Sequence, residues 1–239
     1  MKFYDKKFAE AYDKRLTEEG YPGRLLKVVG EQLEGYQRVI DVGAGSGFFT
    51  VPLAKNGHHV TAVEPSPHMM RLLQKKLDST TRPRVTAVQS TWEEADVAGG
   101  DAVICIHAVY PMKDLSAALL KMCDAAPLRM VLVRNEAELD TLSDRIRQEF
   151  SSDRCGSDYL AQVRSVLSGN GIPYKELPVH ERREIFFHDL DKEAENYCGH
   201  LDIDPAKVKE VARLIESQCE YDGKAYRFTS FLSDIIFVF

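Results

Sequence analysis

Residues 38–64 read RVIDVGAGSGFFTVPLAKNGHHVTAVE, two apolar runs joined through a glycine-rich turn. Val39, Ile40 and Val42 make a short apolar run, the mark of a strand buried on both faces, which leads into Gly43-Ala44-Gly45-Ser46-Gly47. A second run, His59 to Val63, ends on Glu64. Strand, glycine turn, helix, strand and terminal carboxylate form a βαβ nucleotide-binding unit. The glycines permit a tight turn and close approach of the backbone to a ligand, and the following helix offers its free N–H groups. A carboxylate at the tip of the second strand can accept both hydroxyls of a ribose.

Spacing separates two ligand classes. Dinucleotide folds carry G-x-G-x-x-G against a doubly charged pyrophosphate. Here the spacing is G-x-G-x-G, with Asp41 two residues ahead of the first glycine. A carboxylate there repels phosphate and suits a ligand that carries an ammonium group. Asp41 to Gly47 together with Glu64 resembles the first two motifs of the class I methyltransferases that depend on S-adenosyl-L-methionine (SAM). The resemblance is close over about 37–133 and holds only in outline beyond. It implies an α/β fold with a doubly wound, seven-stranded, mostly parallel sheet in a Rossmann-like three-layer sandwich, the seventh strand inserting antiparallel. It also implies SAM as cofactor and S-adenosyl-L-homocysteine as product, while the net charge and the absence of Asn-Pro-Pro-Tyr point to a small-molecule acceptor.

Carried over residue by residue, the resemblance puts the backbone of Gly43, Ala44, Gly45 and Gly47 against the methionine part of SAM. Asp41 orients the loop or the ammonium, and Glu64, followed by Pro65, takes the ribose. Met69 either packs on adenine or is ordinary core. Where the family often shows Gly-Asp-Ala after the third strand, this chain has Ser90-Thr91-Trp92. The acidic adenine reader is missing, which leaves backbone groups and the Thr91 hydroxyl, with Trp92 either covering the adenine edge or packed in the core.

The fourth strand ends in Ile106-His107-Ala108-Val109-Tyr110-Pro111, at the carboxyl end where ligands of such sheets sit. Ile106 and His107 therefore face the cofactor, and Tyr110 lines the acceptor pocket. Asn-Pro-Pro-Tyr, which holds planar nitrogen nucleophiles in DNA and protein-glutamine methyltransferases, is absent, and so is Pro-Cys. His107 is the candidate base, since an imidazole can take a proton near neutral pH; the alternative is a histidine that bridges ligand and backbone without proton transfer. Tyr4 and Tyr12 lie on one face of an N-terminal helix. Their rings either reach the sulfonium, worth about 0.5–2 kcal/mol by cation–π attraction, or pack on the core.

The rest of the chain alternates as a parallel sheet requires: helix after Ser66-Pro67, strands near 84–89, 101–106 and 130–133, and a helix over 115–123. Beyond 139 the alternation breaks. Helices are expected over 139–150, 158–167 and 190–216, with β-rich segments at 172–187 and 225–239. A single domain over 1–239 is expected, its SAM-binding core about 36–135, with additions at about 1–34 and 188–220 forming a lid. His188, Asp189, Asp191, His200, Asp202 and Asp204 cluster in sequence, but read as a solvated helix face, so no metal is expected.

Bulk properties narrow the function. Apolar content of 44% and charged content of 28% are those of a globular domain. A net charge of −6 argues against a broad nucleic-acid surface. No apolar stretch is long enough to span a membrane and the N-terminus lacks a signal-peptide core, so a cytoplasmic setting is expected. Five cysteines without a C-x-x-C pair read as reduced thiols. Three rival readings remain: a SAM-binding regulator or non-catalytic paralogue, an NAD(P)-dependent oxidoreductase, and an RNA or protein methyltransferase.

Overall fold

The computed structural model describes residues 5–150 and 158–239. Two helices, α1 (Lys6–Glu18) and α2 (Arg24–Gln32), precede the first strand. The apolar runs become β1 (Arg38–Val42), β2 (His59–Val63), β3 (Val85–Val88), β4 (Ala102–Ile106) and β5 (Leu128–Arg134), all parallel, in the order β3-β2-β1-β4-β5. Between them run α3 (Thr50–Lys55), α4 (Pro67–Lys76) and α5 (Leu115–Ala125). Ser66 caps α4, its Oγ accepting from the Met69 amide at 3.3 Å, with Pro67 at the first helical position.

After β5 come α6 (Leu142–Phe150), α7 (Tyr159–Gly169), β6 (Lys175–Phe187), α8 (Leu190–Leu201), α9 (Val208–Gln218), a two-residue strand β7 (Glu220–Tyr221) and β8 (Tyr226–Val238). The last long strand, β8, is inserted between β5 and β6 and runs antiparallel to β5, pairing Met130 with Val238 and Arg134 with Asp234. This is the inserted final strand that the resemblance implied. Pro178 falls in β6, the outermost strand of the order, where a missing amide is tolerated.

The chain divides into two compact units. The first comprises Met1–Arg134, Tyr159–Val179 and Asp234–Phe239; the second comprises Asn135–Asp158 and His180–Ser233. In the first unit every residue of β4 is buried, and the strand period of two sends alternate side chains to opposite faces. Val103 and Cys105 join Val42, Met122, Val131 and Phe237 under α5 and α7. Ala102, Ile104 and Ile106 join Leu25, Val29, Leu53 and Met130 under α2 and α3. Helices cover both faces, which is why these strands read as continuous apolar runs.

The second unit has its own core of Leu142, Ile146, Phe187, Tyr197, Val211, Ile215 and Phe228. Asp189 caps α8 by accepting from the Lys192 amide at 3.0 Å, and Asp204 accepts from the Ala206 amide at 2.9 Å. His188 Nδ1 lies 3.0 Å from the Lys224 carbonyl. Two members of the acid–histidine cluster are thus engaged in local caps and turns, and a third meets a distant backbone carbonyl.

Candidate active site

Three carboxyl-terminal strand ends of the first unit converge on the site: β1 brings Asp41 and the glycine turn, β2 brings Glu64, and β4 brings His107. Gly43 has a φ of +71°, and a Cβ built there would stand 2.3 Å from the Ala108 Cβ, so the turn after β4 occupies the space a side chain would need. Gly45, at φ +55°, meets no atom closer than the Gly43 carbonyl oxygen at 4.0 Å. The position of its missing side chain is open space, whereas a Cβ on Gly47 would meet Leu73 and Val51.

Glu64 clamps this turn. One carboxylate oxygen accepts from the Gly45 amide at 2.9 Å, the other from the Ser66 amide at 2.8 Å. Burial pushes the Glu64 carboxyl up, opposed by those two amides. Asp41 is buried beneath the turn and accepts from the Thr50 hydroxyl at 2.6 Å, tying the end of β1 to the first turn of α3. Burial raises the Asp41 carboxyl to about 6; the Thr50 hydrogen bond opposes the shift and the Glu64 charge adds to it. Two carboxylates line this turn, an arrangement that favours a positively charged ligand group over a pyrophosphate.

Helix α1 is held against the turn by Lys76 of α4. The Lys76 ammonium pairs with Asp13, donates to Ser46 Oγ at 3.4 Å and lies 4.2 Å from the Phe48 ring centre. Tyr12 on α1 is partly buried, and burial raises its hydroxyl, with the Arg15 and Arg134 charges opposing. Tyr4 lies outside the described residues. Tyr21, in the connection from α1 to α2, sets its ring edge-on to Phe48 and 6.5 Å from the His107 ring.

His107 follows β4 at φ +53°, a left-handed conformation uncommon outside glycine and concentrated at functional sites. Its Nδ1 lies 3.2 Å from Tyr110 Oη; its Nε2 lies 3.3 Å from Arg134 Nη2 and 3.6 Å from Asp234 Oδ1. Arg134 Nε meets the same Asp234 oxygen at 2.7 Å, and the Arg134 amide donates to Tyr110 Oη at 3.0 Å. Tyr159 Oη donates to the Tyr110 carbonyl at 3.0 Å.

The remaining sequence-selected residues fall into two groups. Met69 and Ile106 are buried, Ile106 at the β4 terminus beside His107, while Pro65, Ser90 and Thr91 are part-exposed at the ends of β2 and β3. Thr91 Oγ1 accepts from the Glu94 amide at 3.3 Å. Trp92 turns to α5: its indole donates to the Ala118 carbonyl at 3.0 Å, and its ring joins the core under that helix. Tyr21, Arg134 and Asp234 escaped the sequence reading. Asp234 had a signal, as a lone charge inside the apolar tail FLSDIIFVF; Arg134 and Tyr21 become visible only once β5 and β8 pair and the α1–α2 connection folds in.

Residues 39–126 match a family of methyltransferase domains. A provisionally named methyltransferase of Geobacillus sp. (strain WCH70) is 38% identical over 78 residues, 30% of this chain and 31% of that one. The ubiquinone biosynthesis O-methyltransferase of Methylocella silvestris is 30% identical over 96 residues, 39% of this chain and 36% of that one. The matched segments thus span about a third of the length of these relatives. Among solved structures, a provisionally named methyltransferase from an antibiotic biosynthesis pathway of Anabaena variabilis superposes with a TM-score of 0.63 at 15% identity, covering 90% of this chain and 97% of that one. Residues 39–126 thus match a methyltransferase domain, and the sheet order, with its inserted antiparallel final strand, is that of the class I, Rossmann-like methyltransferase fold.

Proposed function

We propose that the protein transfers the methyl group of SAM to a small-molecule acceptor at the carboxyl ends of β4 and β5. The observation that carries this reading is the Glu64 clamp on a glycine turn with open space at Gly45, beside the buried Asp41. In this reading the Gly43 and Gly45 backbone meets the methionine part, Asp41 orients the turn, and Glu64 turns its remaining lone pairs to the ribose. Ser90 and Thr91 offer backbone and hydroxyl groups to adenine, while Met69 and Ile106 supply apolar surface. SAM supplies an already activated sulfonium methyl. The chain's work is then to align the two reactants and exclude water, worth about 7–11 kcal/mol in a well-ordered site. Helix α1, held on the turn by Lys76, covers the methyl donor, with Tyr12 on its inner side. Names such as that of the Methylocella relative support a small molecule as acceptor.

Calorimetry with S-adenosylhomocysteine and NADH tests the cofactor assignment: micromolar binding of the first and none of the second is expected. A metabolite screen with labelled SAM then tests transfer. Binding without transfer to any fraction would favour a regulatory paralogue.

A further inference from the structure

The crossover from β3 to β4, residues 89–101, runs as turns and coil. Parallel strands are usually joined through a helix, whose carbonyls are taken by its own amides. A crossover built otherwise has carbonyls that need partners from elsewhere. Here the partner is one side chain. The Lys121 ammonium of α5 donates to the Trp92 carbonyl at 2.7 Å, the Glu93 carbonyl at 3.1 Å and the Ala95 carbonyl at 2.7 Å. An ammonium has three N–H donors, and these three carbonyls match them one for one. The same ammonium lies 4.9 Å from the centre of the Trp92 ring, whose indole donates to the Ala118 carbonyl one turn earlier in α5.

Lys121 thereby holds a turn that continues from the carboxyl end of β3. Within it the Ala95 amide donates to the Thr91 carbonyl at 2.9 Å, and the Glu94 amide donates to Thr91 Oγ1 at 3.3 Å. Just ahead of it, the Ser90 and Glu64 amides both donate to the Val88 carbonyl, each at 3.1 Å. The Ser90–Thr91 corner is therefore tied at one end to the strand tip that carries Glu64. At the other end it is tied to α5 through Lys121. Main chain and hydroxyls are what Ser90 and Thr91 offer a base, and main-chain readout is only as selective as the main chain is fixed.

We infer that Lys121 is a positioning residue: from α5 it anchors the turn over 91–95 in place of a crossover helix, and so fixes the Ser90–Thr91 backbone that reads the adenine of SAM. It acts through the carbonyls it holds, not by contact with the ligand. The adenine role rests on the SAM reading above; the anchor does not.

Calorimetry on the full-length protein with S-adenosylhomocysteine and S-inosylhomocysteine, whose base carries a carbonyl in place of the amino group, tests the adenine role. The unaltered protein should prefer the adenosyl compound. Lys121→Met should lose about three- to tenfold of S-adenosylhomocysteine affinity, the worth of a hydrogen bond to the base, and leave S-inosylhomocysteine affinity nearly unchanged. Lys121→Arg should restore the preference in part. Equal losses for both compounds, or an unchanged preference, overturn the adenine role. Amide hydrogen exchange needs no ligand: Glu94 and Ala95 should lose protection in Lys121→Met, and unchanged protection overturns the anchor. Amine acetylation of the unaltered protein, mapped by mass spectrometry, covers the case in which the variants fail to fold. Lys121 should react more slowly than the exposed Lys14 and Lys27, and equal rates overturn the anchor. No binding of S-adenosylhomocysteine by the unaltered protein would overturn the cofactor reading and the adenine role together, while exchange and acetylation still decide the anchor.

Discussion

Glu64 and Asp41 show how two carboxylates at the ends of neighbouring strands do different work. Glu64 accepts from the Gly45 amide of the turn and from the Ser66 amide ahead of α4, and in the proposed reading its remaining lone pairs meet a ribose. Replacing it with Ala should therefore weaken S-adenosylhomocysteine binding by about 1.5–3 kcal/mol, the worth of a charged hydrogen bond; unchanged affinity in calorimetry would remove Glu64 from the cofactor site. Gly45→Val places a branched side chain at φ +55°, in the space left for the ligand, so binding should vanish while far-UV circular dichroism stays intact. Asp41 is a buried anchor, and its influence is on stability. Because its carboxyl is raised from an ordinary 3.8 to about 6, folding is helped by its protonation below about pH 4, and that help is lost as pH rises through about 6. The total is about 3 kcal/mol. Asp41→Asn keeps an acceptor for Thr50 and removes the titration. Urea midpoints measured from pH 4 to 7 should show the variant gaining on the unaltered protein as pH rises, and a constant gap would mean that Asp41 does not titrate in this window.

Elements were legible where local chemistry and burial agree. Ser66-Pro67 announces a helix start, and the structure caps α4 there with the Ser66 hydroxyl; Ser66→Ala should cost about 1 kcal/mol in chemical denaturation, with no effect if the cap is absent in solution. The β4 run AVICI reads as a doubly buried strand, and Ile104, fully buried, makes the sharper test. Ile104→Ala should cost about 2–5 kcal/mol, whereas Leu120→Ala on the exposed side of α5 should fall within about 0.5 kcal/mol of the unaltered protein. Similar losses at both positions would show that β4 is not the centre of the sheet. Legibility ended where a residue's role depends on a partner far along the chain. Trp92 could be read from sequence either as an adenine cover or as core; only α5, packed above it, offers the Ala118 carbonyl that takes its indole. Arg134 and Asp234 are 100 residues apart and meet because β8 returns antiparallel beside β5, a pairing that no local period encodes. His107 was selected for its position after β4, but two of the groups that meet its ring, Arg134 and Asp234, come from β5 and β8.

At the scale of the whole molecule, charge and topology both bear on what the site accepts. The sequence leaves unit one after β5, and again after Val179, each time to build the second unit, and it returns at Tyr159 and Asp234 to close the sheet. The glycine turn, Glu64, His107, Arg134 and Asp234 all belong to the first unit, so the proposed chemistry has a complete set of groups there. With 31 basic against 37 acidic side chains the chain carries a net charge of −6, a poor match for a polyanion. A nucleic-acid acceptor would need phosphate neutralisation, and its binding would fall about 10³–10⁵-fold between 50 and 200 mM salt. A small acceptor lodged near the β4 and β5 termini releases no counterion atmosphere. When labelled SAM is offered with a small-metabolite extract and, separately, with total RNA and DNA, the label should enter only the metabolite fraction. Its rate of entry should be nearly the same at both salt concentrations. Label in the nucleic acid, or a rate that collapses with added salt, would move the substrate class from small molecules to polyanions, because either result requires a basic surface that this charge balance does not provide.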